Sequence, residues 1–200
     1  MYKVFFNQKE LILTSLFVDQ TQTAPLFFLK YTNKENILEA LKSKKVERLY
    51  VYHPKEEKLL GIFFNMFKII EAAGGIVENK TTGEILFIYR NNKWDFPKGR
   101  IEKEEAVRSA ALREVEEETG VKEISITKAL PMTYHIFQRN GKFRLKKTFW
   151  YAMETTSMDP LVPQKEEGIK KAVWKPKSEI PKLFENAYEN IKKLWEESTL

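Results

Sequence analysis

The hydrophobic pattern of the first 68 residues alternates between short strand-like runs and segments with helical spacing. Strands are predicted at four runs of apolar residues: Tyr2–Phe6, Leu11–Thr14, Leu26–Tyr31 and Arg48–Tyr52. Apolar positions three and four residues apart predict helices over Glu35–Ser43 and Glu56–Phe67. This first region is therefore interpreted as a small α/β domain, and it contains no recognisable chemical motif.

The alternation continues from residue 69, with longer strand candidates and a helix at the end of the chain. The strand candidates are Ile69–Glu78, Glu84–Arg90, Glu123–Pro131, Thr133–Arg139, Phe143–Met153 and Ala172–Lys175. Ser178 is expected to cap a C-terminal helix whose apolar positions run from Ile180 to Leu194. No flexible linker marks the boundary near residue 68, so two closely packed domains are predicted, 1–68 and 69–200.

Between these strands, the segment from Gly99 to Val121 combines a loop with a helix of two different faces. One face is apolar, with Val107, Ala111 and Val115 at helical spacing. Another face carries three acids at i, i+3 and i+4: Glu114, Glu117 and Glu118. Neighbouring like charges destabilise a helix, whereas a divalent cation among them prefers carboxylate oxygens as ligands. The helix is expected to stop at Gly120 in a left-handed conformation.

The spacing of this segment resembles the Nudix box, the signature of hydrolases that act on nucleoside diphosphates linked to another group. The box requires fixed residue types in a 23-residue frame, filled here by Gly99, Glu105, Arg113, Glu114, Val115, Glu117, Glu118, Gly120 and Val121. The resemblance implies an α/β class fold, an α/β/α sandwich with a mixed sheet, preceded here by the small α/β domain. It also implies a Mg²⁺ or Mn²⁺ cofactor.

Spacing and resemblance together indicate the metal ligands Glu114, Glu117 and Glu118, and the resemblance adds the backbone carbonyl of Lys98. Glu105 is expected one to two turns earlier on the same helix, completing or orienting the ligand set. Arg113 is expected to hold a box glutamate through an ion pair. These residues account for most of the predicted catalytic centre.

The general base is left open between two locations. In the family that the box resembles, the base is sometimes a box glutamate and sometimes an acid in a loop well after the box. Glu166 and Glu167 lie in such a loop, and Glu167 is the candidate. A plain solvated loop is the alternative for this segment.

Substrate contacts are predicted from two further similarities. The Pro97-Lys98-Gly99 sequence resembles dinucleoside polyphosphate and diphosphoinositol polyphosphate hydrolases. The segment 146–151 resembles a strand of diadenosine tetraphosphate hydrolases, which implies a phosphate contact from Lys147 and base stacking on Tyr151. An ordinary aromatic strand is the alternative. Arg90 and the Lys98 side chain are further candidate substrate contacts.

Charge and composition support a polyanionic ligand. The formal charge is +6, and residues 102–118 carry seven acids and three bases, a net of −4 that leaves +10 on the remainder. A basic body around an acidic metal cluster suits a nucleotide-derived small molecule, which is the preferred partner, and would also suit nucleic acid. The chain has no cysteine and no apolar run of membrane-spanning length, so a cytoplasmic protein with no membrane partner is expected.

Several functional alternatives stay open. The preferred function is metal-dependent hydrolysis of a phosphoanhydride in a nucleoside diphosphate linked to another moiety, which includes dinucleoside polyphosphates. The enzymatic alternatives are an ADP-ribose or nucleotide-sugar pyrophosphatase and an RNA 5′-end decapping enzyme. The non-enzymatic alternative is a ligand-sensing regulator with the Nudix fold, although such proteins usually lose box glutamates. The first domain could serve homodimerisation, cover the substrate or bind a partner.

Overall fold

The computed structural model of the protein describes residues 1–198, which form two compact units. Unit 1 comprises residues 1–70 together with 134–147, and unit 2 comprises 71–133 and the chain from 148 onward. The sequence-based division at residue 68 does not include the second segment of unit 1. That segment belongs to two long strands whose remaining residues lie in unit 2.

Unit 1 is an α/β structure, as the hydrophobic pattern predicts. Its own strands and helices are β1 (Tyr2–Phe6), β2 (Lys9–Thr14), β3 (Leu26–Phe28), α1 (Lys34–Lys42), β4 (Arg48–Tyr52) and α2 (Glu56–Asn65). Strands β1 and β2 are antiparallel, whereas β4 runs parallel to both β2 and β3. Because parallel neighbours need a crossover, α1 connects β3 to β4. The core includes Leu11, Leu49 and Phe63, all fully buried.

Unit 2 contains the remaining strands and helices, of which β5, β9 and β10 also have residues in unit 1. Its elements are β5 (Lys68–Asn79), β6 (Ile85–Arg90), β7 (Lys93–Asp95), β8 (Lys98–Arg100), α3 (Val107–Thr119), β9 (Ser125–Arg139), β10 (Lys142–Thr155), β11 (Ile169–Lys175), α4 (Ile180–Phe184) and α5 (Glu189–Ser198). The strand order is β11-β6-β5-β10-β9, with β7 paired to β6 and β8 paired to β5. Within unit 1, residues 134 and 135 of β9 pair in parallel with β1, so the sheet is mixed.

The sheet of unit 2 is covered by helices on both faces. Side chains alternate between faces along a strand, so Ile76 and Val77 point in opposite directions. Ile76 packs in a cluster with α4 and α5, whereas Val77 packs in a second cluster with α3. The expected α/β/α sandwich with a mixed sheet is therefore confirmed.

Several elements differ from the sequence-based prediction, which includes no strand at β7 or β8. The two strands predicted on either side of Met132 are one strand, β9, which continues through Pro131. The predicted C-terminal helix is divided into α4 and α5, because Ala187 forms a β-bridge with Trp94 and interrupts the helix. Ser178 lies in a 3₁₀ turn rather than at a helix cap. Within residues 1–198, no helix has the length and apolarity needed to cross a membrane.

Candidate active site

Strand β8 brings the start of the box against helix α3. It pairs antiparallel with β5, with Gly99 opposite Ala73. A Cβ at Gly99 would collide with the carboxylate of Glu114 on α3. The absence of a side chain at Gly99 therefore lets this carboxylate lie directly against the strand backbone, which gives the box glycine a steric reason.

Glu105 lies in the loop before α3, which corrects the prediction that it belongs to the helix. The helix begins at Val107 with Ala106 as its N-cap, and Glu104 has a positive φ of 64°. The Glu105 carboxylate accepts a hydrogen bond from the Glu102 backbone N–H at 2.9 Å. Hydrogen bonding from Arg113 lowers the pKa of Glu105 to about 2.

Arg113 is the centre of an ion-pair network. Its Nε and Nη2 donate to the two oxygens of Glu105 at 2.7 and 2.8 Å. Its Nη1 donates to Glu114 Oε1 at 2.8 Å and to Glu117 Oε2 at 3.0 Å. The hydrogen bond to Glu105, followed by that to Glu114, raises the pKa of Arg113. One guanidinium thus gathers three box carboxylates.

Glu118 is the most buried of the box acids, with 1% of its side chain exposed. Its Oε2 accepts the backbone N–H of Lys98 at 2.8 Å, and Arg90 Nη1 lies 3.3 Å from its Oε1. Burial raises the pKa of Glu118 to about 7, although the charges of Lys98 and Arg90 act in the opposite direction. Glu118 therefore joins α3 to both β8 and β6.

The Lys98 side chain points to Asp95, a residue that the sequence reasoning did not select. Lys98 Nζ lies 2.6 Å from Asp95 Oδ2, and the Phe96 backbone N–H donates to Asp95 Oδ1 at 2.8 Å. Burial disfavours the charge of Lys98, but the attraction of Asp95 and Glu118 outweighs it and raises the pKa of Lys98. The only sequence signal was an acid three residues before the lysine, which is common on protein surfaces.

The loop after β10 places Glu167 near the end of α3. Backbone N–H groups of Val162 and Gln164 donate to the carbonyls of Thr119 and Glu118 at 2.8 and 3.2 Å. Glu167 Oε2 then lies 3.1 Å from Arg90 Nη2, so Arg90 pairs with both Glu167 and Glu118. Gly120 has the expected left-handed conformation, with φ of 73°, where this loop approaches α3.

The two residues predicted on β10 occupy different surroundings. Tyr151 is 9% exposed in the cluster that packs against α3, and the Arg108 guanidinium lies 5.5 Å from its ring centroid. A base could stack on this ring only after Arg108 moves, so that contact stays a prediction. Lys147 belongs to unit 1, whereas the other predicted site residues belong to unit 2.

The donor set of unit 2 fits a hard divalent cation. Glu114 and Glu117 both contact Nη1 of Arg113, so a positive charge already lies beside the two carboxylates. The backbone of Gly99 leaves room for the Glu114 carboxylate, and the donor atoms are carboxylate oxygens, which Mg²⁺ prefers. As they stand, the acidic and histidine side chains of residues 1–198 form no group of three or more that could hold a metal ion.

Comparisons with known proteins agree with the fold and the box. The family model of the NUDIX domain matches residues 68–195. The C. elegans Ap4A hydrolase in a binary complex has 20% identity and a TM-score of 0.50, over 64% of this chain and 93% of that chain. The MutT protein from Methanosarcina mazei Go1 has 20% identity and a TM-score of 0.51, over 65% and 92% of the two chains. The chain therefore belongs to the NUDIX domain family.

Proposed function

We propose that unit 2 hydrolyses a phosphoanhydride bond in a nucleoside diphosphate linked to another moiety, with Mg²⁺ or Mn²⁺ as cofactor. Dinucleoside polyphosphates are the preferred substrates within this class. The observation that carries the proposal is the Arg113 network, which holds Glu105, Glu114 and Glu117 around one guanidinium at 2.7–3.0 Å. The network brings carboxylate oxygens from the loop and from α3 close together, and a divalent cation prefers such oxygens as ligands.

The chain's own residues would divide the work between binding and orientation. Glu114, Glu117 and Glu118, with the Lys98 carbonyl, would hold the cation, which neutralises phosphate oxygens when bound. Arg113 orients Glu114 and Glu117 from the side, because its Nη1 contacts both carboxylates. Arg90 is placed between Glu118 and Glu167, where its charge would also attract a phosphate group.

Glu167 is the proposed general base, which would take a proton from the attacking water. Its side chain is 52% exposed, so water reaches it, and Arg90 fixes its position from one side. Glu118, by contrast, is buried and engaged by Lys98 and Arg90. These surroundings favour Glu167 over Glu118 for proton transfer.

Support for dinucleoside polyphosphates comes from the Pro97-Lys98-Gly99 resemblance together with Lys147 and Tyr151. The Lys98 ammonium group is paired with Asp95 at 2.6 Å. We therefore propose that Lys98 attracts the substrate through its positive charge and not as an unpaired ammonium group. A base stacked on Tyr151 would contribute about 1–3 kcal/mol once Arg108 is displaced.

The test measures substrate turnover with Mg²⁺ or Mn²⁺ on a substrate panel, by chromatographic separation of the two phosphate-terminated products. The panel contains diadenosine polyphosphates, ADP-ribose, nucleotide sugars, nucleoside triphosphates, diphosphoinositol polyphosphates and capped RNA. We expect metal-dependent turnover that is highest on diadenosine polyphosphates. Highest turnover on another member would replace the substrate assignment, and metal-independent turnover would contradict the proposed cofactor.

A double variant, Glu117→Gln with Glu118→Gln, tests the ligand set on the best substrate. We expect turnover to fall by at least about 100-fold, since both carboxylate charges are removed. The matched control is Glu116→Gln, on the same helix but outside the box pattern, which should retain wild-type turnover. Retention of wild-type turnover by the double variant would exclude these glutamates as metal ligands.

A further inference from the structure

Unit 1 contains a cleft that lies outside the proposed catalytic machinery. It has a volume of about 800 Å³ and is lined by one side of α1 along its length, by Lys68, and by the turn between β9 and β10 with the start of β10. Small-molecule sites in proteins have volumes of roughly 300–1,000 Å³. The cleft is therefore large enough for a nucleotide-sized ligand.

The lining of this cleft is strongly basic. Five basic side chains, Lys34, Lys42, Lys68, Lys142 and Arg144, stand against two acidic ones, Glu35 and Glu39. One of the acids, Glu35, lies 3.7 Å from Lys34. Lys42, Lys68 and Lys142 form no ion pair with any carboxylate of residues 1–198. The balance is five positive charges against two negative ones, a net of +3.

Arg144 gives the cleft an unsatisfied donor as well as charge. Its Nε is shielded from solvent and has no hydrogen-bond acceptor among the described residues. A shielded N–H without a partner is unfavourable, so a rearrangement of Arg144 that brings this N–H to an acceptor oxygen of a ligand would remove this defect. Arginine presents its N–H groups in a fixed fork that matches phosphate oxygens.

We propose that this cleft binds the phosphate groups of a small phosphorylated molecule, separately from the hydrolytic site of unit 2. The guanidinium of Arg144 would turn to donate to a phosphate oxygen, with Lys42, Lys68 and Lys142 around it. Lys42 lies 4.6 Å from the ring centroid of Phe143, which holds its ammonium group at the cleft. The two carboxylates in the lining, Glu35 and Glu39, favour a compact ligand over a long nucleic acid backbone.

The experiment measures binding of inorganic tripolyphosphate by titration calorimetry. EDTA is present, so that no divalent cation supports binding in unit 2. We expect saturable binding that weakens at least about tenfold in the variant Lys42→Gln with Lys142→Gln, because two phosphate-facing charges are lost. The matched control is Lys44→Gln with Lys45→Gln, two exposed lysines outside the cleft, which should change the Kd by less than twofold.

A second variant, Arg144→Lys, keeps the charge but removes the Nε donor. We expect binding about three- to tenfold weaker than wild type, with the thermal unfolding temperature compared in parallel. If this variant does not fold, the comparison of the Lys42→Gln with Lys142→Gln variant and its control still tests the proposal. Equal weakening in the cleft and control pairs, or no saturable binding by the wild type, would overturn the proposal.

The same titration distinguishes a small phosphorylated ligand from a nucleic acid ligand. A single-stranded RNA oligonucleotide that binds through Lys42 and Lys142 more tightly than tripolyphosphate would overturn the assignment of a small ligand. Failure of hydrolysis in unit 2 would not affect this titration, since it is carried out without divalent cations and reads binding alone.

Discussion

Glu105 and Arg113 form a two-pronged ion pair, with Nε–Oε1 and Nη2–Oε2 distances of 2.7 and 2.8 Å. Glu105 stands in the loop before α3 and Arg113 stands within the helix. The same carboxylate accepts the Glu102 backbone N–H, so one side chain ties the loop to both its own backbone and the helix. This pair therefore fixes the loop that leads from β8 into α3.

The first prediction concerns the stability that this pair contributes. Glu105→Gln should lower the free energy of unfolding by about 1–3 kcal/mol at pH 7, because a partly shielded charged hydrogen bond pair is lost. The pKa of Glu105 is lowered from 4.5 to about 2 in the folded protein. Its stabilisation is therefore present above pH 4.5 and is lost as the pH falls towards 2.

Urea unfolding between pH 7 and pH 2.5 checks this prediction. The free energy of unfolding of the wild type should approach that of Glu105→Gln as the pH falls. The control Glu104→Gln replaces a neighbouring acid whose side chain is 83% exposed and should match the wild type at every pH. A difference between wild type and Glu105→Gln that stays constant down to pH 2.5 would contradict the assigned pKa.

The second prediction concerns the contact between Gly99 and Glu114. Gly99→Ala should reduce turnover by at least about tenfold, because the added Cβ displaces the Glu114 carboxylate. The control is Gly61→Ala in α2, where an added Cβ meets no atom within 4 Å. That control should keep full turnover and gain about 0.5–1 kcal/mol of stability. Turnover assays on both variants decide, and full activity of Gly99→Ala would refute the steric explanation.

A third prediction concerns Asp95, which balances the buried ammonium of Lys98. Asp95→Asn should destabilise the protein by about 3–5 kcal/mol, because a buried charge would be left without its partner. Chemical unfolding measures this loss. Asp159→Asn serves as the control, since Asp159 is exposed and hydrogen-bonds only with Ser157 in the described chain.

A double-mutant cycle separates pairing from packing at this position. Asp95→Asn with Lys98→Met removes both charges, so the double variant should be less destabilised than the sum of the two single variants. Additive losses would mean that Asp95 and Lys98 stabilise the fold independently of their 2.6 Å contact.

The fourth prediction separates the two acids of the late loop. Glu167→Gln should lower kcat by at least about 100-fold with little change in KM, if Glu167 takes the proton from water. Glu166→Gln should be close to wild type, because Glu166 is exposed and has no described partner at the site. Equal activity of the two variants would move the general base to a box glutamate.

The helix of the box could be predicted from sequence because its determinants are local. Apolar spacing predicted the buried Ala111 and Val115, and Gly120 was expected in the left-handed conformation that it adopts. The start of the helix could not be predicted in the same way. Glutamates are strong helix formers, so Glu104 and Glu105 gave no sign that the chain leaves the helical conformation there.

The sequence alone predicts the box, most of the longer strands and helices, and the α/β class, since each depends on spacing along the chain. Which distant side chains meet is known only from the tertiary structure. The pairing of Asp95 with Lys98 and of Arg90 with Glu167 depends on how β6, β8 and the late loop pack. The division of the C-terminal helix likewise depends on Ala187 bridging Trp94 across 93 positions. Such contacts are long-range, and local spacing contains no information about them.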